Sequence, residues 1–338
     1  MVSFQHKLAT GLARRGVQVC YDLDDGPYDA VLVTGGTRHL RGVWRARRRG
    51  IPVVQRLDGM NWIHRVRRTG LRHMLRAEYG NAILALIRAR LATRIVYQSE
   101  FSRQWWERAR GSVPAPSCVV YNGVDLDIYH PHGLYARPRE FFRLLLVEGS
   151  LMGGYEMGLE AAVQLAGGLA VELSSAHQTA QRRPVELMVV GRASVELQRT
   201  WQQRLAQQGN AMGVSMQWAG LVPAERIPEF DRSAHMLYSA DVNAACPNSV
   251  IEALACGLPV AAFATGALSE LVQNEAGRVV PYGGDPWRLD PPDIPVLVKA
   301  ALEILEEQER FRAAARQRAV DAFGLEQMVE GYLEALGG

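Results

Sequence analysis

The chain has 338 residues, 48% hydrophobic and 22% charged, which excludes wholesale disorder and makes two domains the natural expectation. No apolar run reaches about 18 residues and the opening MVSFQHKLATGLARRG lacks the apolar core of a leader, so a soluble, cytoplasmic protein is expected. Residues 1–137 carry 22 Lys and Arg against 10 Asp and Glu, a formal +12 in a chain of +3, leaving −9 for residues 138–338.

Helical periodicity opens the chain, followed by strand-like VQVCYDL (17–23) and DAVLVTG (29–35). Arginines then cluster in RGVWRARRRG (41–50) and HRVRRTGLRHMLR (64–76), in a chain whose only lysines are Lys7 and Lys299. Such clusters read as a solvated face, or as a surface for an anionic membrane or anionic acceptor. No nucleic-acid motif accompanies them, so nucleic acid is set aside as a partner and peripheral attachment at the inner membrane face stays open. Further strand-like runs are IPVVQRL (51–57), TRIVYQS (93–99) and CVVYNGV (118–124), with helical patterns such as NAILALIRARLA between them. Prolines and a glycine interrupt both periods near YHPHGLYARPRE (129–140), placing a domain join at 137/138. A second alternating set follows: FRLLLVEGS (142–150), PVELMVVGR (184–192), VSMQWAG (214–220), AHMLYSA (234–240), LPVAAFA (258–264) and GRVVPYG (277–283). Strand and helix alternating in this way predict two doubly wound parallel α/β domains, with ligands expected beyond the carboxyl ends of strands in an interdomain cleft. FGLEQMVEGYLEAL reads as an amphipathic C-terminal helix (322–338) that packs back on the first domain.

Cys20, Cys118, Cys246 and Cys256 are scattered, with no CxxC pair, and read as buried thiols rather than a zinc site or disulfide framework. DLDD (22–25) contains an Asp-x-Asp pair, Asp22 and Asp24, but sits at a strand end and reads as a loop, so no metal site is expected. Asp58 follows a buried strand and precedes Gly59; a carboxylate there suits orienting or deprotonating a hydroxyl, and equally an Asx-turn, with Arg56 directed the same way. His64 and His73 lie among arginines and read as surface residues, and Trp62, Trp105 and Trp106 as packing aromatics.

CPNSVIEALACGLPV (246–260) places one carboxylate, Glu252, in an otherwise apolar, small-residue run. Ser249 three residues before it has capping-box spacing, Gly257 sits where a left-handed C-cap belongs, and Pro259 stops the helix. Spacing alone leaves capping and ligand binding both open. Gly149, Gly153 and Gly154 in EGSLMGGYE, and Gly191 and Gly266, end strands where backbone amides can approach a diphosphate or simply turn the chain.

CPNSVIEALACGLPVAAFATGALSELV resembles the donor-site motif of the family-4 retaining glycosyltransferases. VVYNGVDLDIYHP resembles their interdomain connection, IVYQSEFSRQWW a late unit of the acceptor domain, and VELMVVGRAS with MQWAGLVPAERIPEFDRSAHMLYSA the middle of the donor domain. The resemblance implies a GT-B fold of two facing Rossmann-like domains, 1–137 on the acceptor side and 138–321 on the donor side. It implies retaining, metal-independent transfer from a nucleoside-diphosphate sugar to a hydroxyl of a polysaccharide, glycolipid or similar acceptor, with no cofactor beyond that co-substrate. Glu252 would accept from the ribose hydroxyls, and the helix start at Asn248, Ser249 and Val250 would present N–H groups to the donor. Gly149, Ser150, Gly153, Gly191, Arg192 and Gly266 would border the nucleotide and phosphates, and Asp58 would act on the acceptor.

The sequence departs from the family in three places. The first acid of the motif falls at Ala244; the arginine and lysine that neutralise the diphosphate fall at Ser150 and at Tyr155 or Glu156; and SFQHKLATGLARRGVQV corresponds to the helix after the family's usual first strand. Helix amides, Arg192 or an arginine of the basic half are the substitutes at hand. The alternative is a homologue that binds nucleotide sugar without transferring it.

Overall fold

A computed structural model of the chain describes residues 4–151, 156–175, 183–207 and 213–337. The chain divides into two compact units, one of Val2–Gly123, Asn243–Cys246 and Ala322–Gly338, the other of Val124–Val242 and Pro247–Asp321.

The first unit begins with α1 (Phe4–Arg14) and continues through β1 (Val31–Thr34), α2 (Leu40–Arg48), β2 (Val53–Leu57), α3 (Leu71–Leu86), β3 (Arg94–Tyr97), α4 (Glu100–Arg110) and β4 (Ser117–Val119). Its strands form a parallel sheet in the order β1-β2-β3-β4. No strand forms over 17–23: Val17, Val19 and Tyr21 alternate as a strand would, but they are exposed and pair with no neighbour. The run 118–124 gives only the short β4, because the chain leaves the sheet after Val119.

The second unit runs β5 (Phe142–Ser150), α5 (Glu156–Ser175), β6 (Val185–Arg192), α6 (Val195–Gln207), β7 (Val214–Gly220), α7 (Ile227–Ser233), β8 (Met236–Ser239), α8 (Asn248–Ala255), β9 (Val260–Phe263), α9 (Leu268–Leu271), β10 (Gly277–Val280), α10 (Ile294–Glu306) and α11 (Gln308–Ala322). All six strands are parallel, in the order β10-β9-β8-β5-β6-β7. Leu144, Leu146, Leu187 and Val189 pack against Leu159, Ala162, Leu165 and Leu169 of α5 and Leu297 and Ala301 of α10. Each such large apolar side chain contributes about 1.5–3 kcal/mol on burial.

The last helix, α12 (Leu325–Leu336), belongs to the first unit, where Leu325, Met328, Val329 and Tyr332 share a core with Leu8, Leu12, Val54 and Val96. The join expected at 137/138 lies earlier, at 123/124. Residues 124–137 are tied to the second unit: Tyr129 donates its hydroxyl to the Ala224 carbonyl at 3.0 Å, and Arg316 donates to the carbonyls of Tyr129 and Leu126.

All four cysteines are free thiols, Cys246 and Cys256 buried, Cys118 half-buried and Cys20 exposed, so the expectation of buried thiols fails for the last two. Cys20 lies on the 17–23 segment, which has no strand to cover it. No helix among the described residues is long and apolar enough to cross a membrane.

Candidate functional site

In the second unit the chain winds from β5 first toward β6 and β7 and then back through β8 to β9 and β10, so the sheet changes direction between β5 and β8. Loops leaving adjacent strand ends diverge there and open a binding site. That end carries Glu148, Gly149 and Ser150 of β5, Arg192 at the end of β6, Asp241 after β8, and Thr265 and Gly266 after β9. The Thr265 hydroxyl donates to the Asp241 carbonyl at 3.1 Å and ties two of these loops together. Gly149, Ser150 and Arg192 are exposed. Gly153, Gly154 and Tyr155 lie outside the described residues.

Gly191 owes its identity to packing. Its φ is +149°, and a Cβ on it would lie 2.0 Å from the Glu148 carbonyl oxygen. The pairing of β5 with β6 is irregular here, jumping from Val147↔Val190 to Ser150↔Arg192. Nothing lies within 4 Å of a Cβ placed on Gly149, so packing leaves that position open.

Glu148 and Asp241 form a carboxylate pair that sequence reasoning missed as a pair. Desolvation first, then repulsion from Asp241, holds the Glu148 carboxyl well above the usual range, and desolvation pushes Asp241 up to about 6. The folded chain thus binds a proton at Asp241 more tightly than the unfolded chain does, and stability falls as pH rises from the ordinary 3.8 through about 6. Asp241→Asn is expected to stabilise the protein at neutral pH by about 1–2 kcal/mol, allowing for solvent screening, and to flatten this slope. Urea unfolding at about pH 5 and about pH 8 measures both, and an unaltered slope would show that the pair does not titrate in this window.

Glu252 lies in α8 and is 4% exposed. The capping box does not form: the N-cap is Pro247, with no side-chain cap, and α8 already includes Asn248 and Ser249. Proline's fixed φ starts the helix early enough that Ser249 sits inside the first turn. Gly257 is left-handed, φ +66°, and with Leu258 closes the helix on the carbonyls of Leu254 and Ala253, as a glycine C-cap does. Val250 is fully buried, whereas Asn248 and Ser249 are half-buried in the first turn, where backbone N–H groups lack intrahelical acceptors.

The Glu252 carboxylate has acidic company. Burial, then repulsion from Glu252, raises the Asp231 carboxyl on α7 well above its usual range, and the same two causes raise the Tyr129 hydroxyl. Both Asp231 oxygens are buried without a hydrogen-bond partner in good geometry; the Cys256 thiol beside them is itself pushed up by burial. A second carboxylate this near an uncompensated one is expensive in a fold built for stability alone. Position 244, where the family's first acid is missing, belongs to the segment Asn243–Cys246 of the first unit.

In the first unit, Asp58 follows β2. Its carbonyl accepts from the Ser102 hydroxyl at 2.9 Å and the Trp106 indole at 2.7 Å, while Asn81 exchanges two hydrogen bonds with the Asn61 backbone. Gly59 is required because a Cβ would lie 2.4 Å from the Trp105 ring. The Asp58 side chain reaches solvent, yet the surrounding protein raises its pKa by desolvation against the lowering pull of Arg56.

Arg56 is occupied with Asn122, at 2.8 Å, and with the Phe4 ring. His64, expected at the surface, is buried and hydrogen-bonded at 2.8 Å to Glu78, which Arg65 also grips; these partners, Arg65 first, hold Glu78 down to about 2. His73 is exposed, and Trp105 and Trp106 are buried. Asp22 accepts from the Asp24 amide in a surface loop, and no cluster of three metal-ligating side chains occurs among the described residues.

Two family descriptions match the chain: "Glycosyl transferases group 1" over residues 164–307 and "Glycosyltransferase Family 4" over residues 21–128. The D-inositol 3-phosphate glycosyltransferase 1 of Catenulispora acidiphila is 26% identical over 323 residues, covering 91% of this chain and 72% of that protein. Its namesake from Geodermatophilus obscurus is 28% identical over 235 residues, 67% of this chain and 48% of that one, so the chain spans about half of its length. Among solved structures, Anabaena HepE in complex with UDP and glucose superposes with a TM-score of 0.58 at 18% identity, over 91% of this chain and 78% of HepE. Sucrose-phosphate synthase from Thermosynechococcus elongatus gives 0.62 at 16% identity, over 98% and 77%. At these identities the structural likeness is one of fold.

Proposed function

The chain belongs to the group 1, family-4 glycosyltransferases and has their GT-B α/β architecture, and from that premise we propose that it transfers a sugar from a nucleoside-diphosphate sugar to a hydroxyl acceptor with retention of configuration. The observation that carries this reading is Glu252, a carboxylate kept 4% exposed in a buried helix, close enough to Asp231 and Tyr129 to raise both. In the proposed role its two oxygens accept from the ribose hydroxyls, and the first-turn amides of α8 at Asn248, Ser249 and Val250 face the donor. Ser150, Arg192 and the amides around Gly149 and Gly266 receive the diphosphate, which leaves during front-face attack. UDP and glucose bound to the related HepE fold support a uridine nucleotide as the first donor to try. No metal is needed in this scheme, so chelation should leave the rate unchanged.

The test is calorimetry against a panel of nucleoside diphosphates and their sugars, followed by transfer and donor-hydrolysis assays. No donor binding would overturn the reading. Donor binding with neither transfer nor slow hydrolysis across a broad acceptor panel would instead support a non-catalytic binder, the reading motivated by Ala244 and Ser150.

Asp58 is the proposed acceptor-side residue, its loop held rigid by Ser102, Trp106 and Asn81. Asp58→Asn should lower turnover by about 10²-fold with donor affinity unchanged. Because its folded pKa is raised, the wild-type rate should fall with acidification at a higher pH than a free aspartate would give. Wild-type kinetics in the variant would remove Asp58 from the scheme.

Acceptors on a membrane are compatible with α3, where Leu71, Leu75 and Tyr79 are 67%, 59% and 63% exposed along one face, with Arg72 and Arg76 on its flank. Flotation with phosphatidylglycerol vesicles should be lost in Leu75→Ser with Arg72→Gln. Equal flotation of the two proteins would rule this face out.

A further inference from the structure

The opposite end of the second unit's sheet has a different character. Below the first residues of β5, β6 and β8 lies an open cleft of about 840 Å³, lined by Arg137, Arg139, Arg183, Arg232, Arg312 and His235. Strand length puts it about 25 Å from Gly149 and Ser150, at ~3.3 Å per residue. Three carboxylates, Glu306, Glu307 and Glu309, stand on its rim. They are partly spent: Glu309 meets Arg137 at 3.4 Å, and Glu307 meets Arg310, which also holds Glu275.

What is left inside is cationic and incompletely partnered. Nη1 of Arg312 is sealed from solvent with no hydrogen-bond acceptor. Arg183 lies over the Phe142 ring and, like Arg312, makes no salt bridge among the described residues. Arg232 uses Nε and Nη1 on the carbonyls of Leu134 and His130, which fixes the loop beside the cleft.

His235 is 5% exposed, and its Nδ1 accepts from the Arg143 amide at 2.9 Å. The ring proton therefore sits on Nε2, making that nitrogen a donor. Burial, then Arg137, Arg183 and Arg312, pushes this imidazole down to about 3, and burial with Arg137 pulls the Arg312 guanidinium down to about 10. A buried guanidinium N–H without an acceptor is costly, and a multiply charged anion with several oxygens satisfies forked donors better than a single carboxylate does.

We propose that this cleft is a second binding site, separate from the strand ends that hold the proposed donor site, for a small soluble phosphate-bearing anion whose oxygens take the N–H groups of Arg312, Arg183 and His235. The site is concave and its key donors are recessed, which suits a free phosphate or diphosphate better than a headgroup held at a bilayer surface.

The test is titration calorimetry of the full chain with inorganic pyrophosphate, comparing wild type with Arg312→Gln, Arg183→Gln and Arg192→Gln, and with circular dichroism as the folding control. Pyrophosphate should fill two sites in the wild type: the cleft component should weaken at least about tenfold in Arg312→Gln and in Arg183→Gln, the loss of one charge-assisted hydrogen bond, and persist in Arg192→Gln, which loses only the donor-site component. If Arg312→Gln does not fold, Arg183→Gln decides alone. Absence of wild-type binding, equal binding in the Arg312 and Arg183 variants, or loss confined to Arg192→Gln would overturn the proposal. So would capture of wild type, and not of Arg183→Gln, on phosphatidylcholine vesicles containing phosphatidic acid with no pyrophosphate binding, since the site would then take a lipid headgroup.

Discussion

Glu252→Ala should lower donor affinity by about 10²-fold or more while leaving the melting temperature unchanged or higher. The affinity loss follows from removing both acceptors for the ribose hydroxyls, each a charge-assisted hydrogen bond of about 1.5–3 kcal/mol. The stability expectation follows from the surroundings. Glu252 is 4% exposed, and its charge raises the Asp231 carboxyl already destabilised by burial. With Glu252 gone, less work is needed to bury Asp231, and the small cavity left by the side chain works against that gain. Calorimetry with UDP and thermal melts on the same preparations separate the two. A folded variant with wild-type donor affinity would remove Glu252 from the donor site. A variant that binds donor normally but melts lower would make it a structural carboxylate.

Gly191→Ala should destabilise the second unit by about 3 kcal/mol or more. The added methyl would stand 2.0 Å from the Glu148 carbonyl oxygen, at a φ of +149° that an L side chain rarely adopts. Relief requires β5 and β6 to part, and β5 also borders the point where the winding reverses, so Glu148, Gly149 and Ser150 would move and donor affinity should fall too. Gly149→Ala is the matched comparison: nothing lies within 4 Å of its Cβ, so stability should change by less than about 1 kcal/mol, while donor affinity drops if the diphosphate lies against this backbone. Urea unfolding of both variants checks the contrast, and equal stability losses would show that β5–β6 packing does not set the requirement at position 191.

The second unit was legible in the sequence because its strands are buried on both faces, and runs such as LLLV in β5 and VAAF in β9 have no reason to exist elsewhere. Over 17–23 the same reasoning failed. Val17, Val19 and Tyr21 carry a strand's alternation, but a strand also needs a neighbour, and pairing is not written in a local pattern. The helix at Glu252 was read correctly in kind and at its C-cap but misread at its start, since Ser249 and Pro247 both offer a local solution and proline's rigid φ prevailed. His64 was misplaced because the arginines around it in sequence say nothing of Glu78 on α3, which covers it.

Glu148 and Asp241 lie 93 residues apart and meet only because β8 is laid beside β5. No spacing rule could have joined them. The Asp231 and Tyr129 surroundings of Glu252 were hidden for the same reason.

The shared core of α1 and α12 has a consequence for synthesis. Leu8, Leu12, Val54 and Val96 are made early, but Leu325, Met328, Val329 and Tyr332, which cover them, are made after the whole of the second unit. As the ribosome extends the chain, the second unit can close within 124–321 while the first waits with an open apolar face. The first unit therefore completes its core after the second, and a nascent chain stalled before Leu325 should be held by chaperones, with its first 123 residues open to protease and the later unit already resistant.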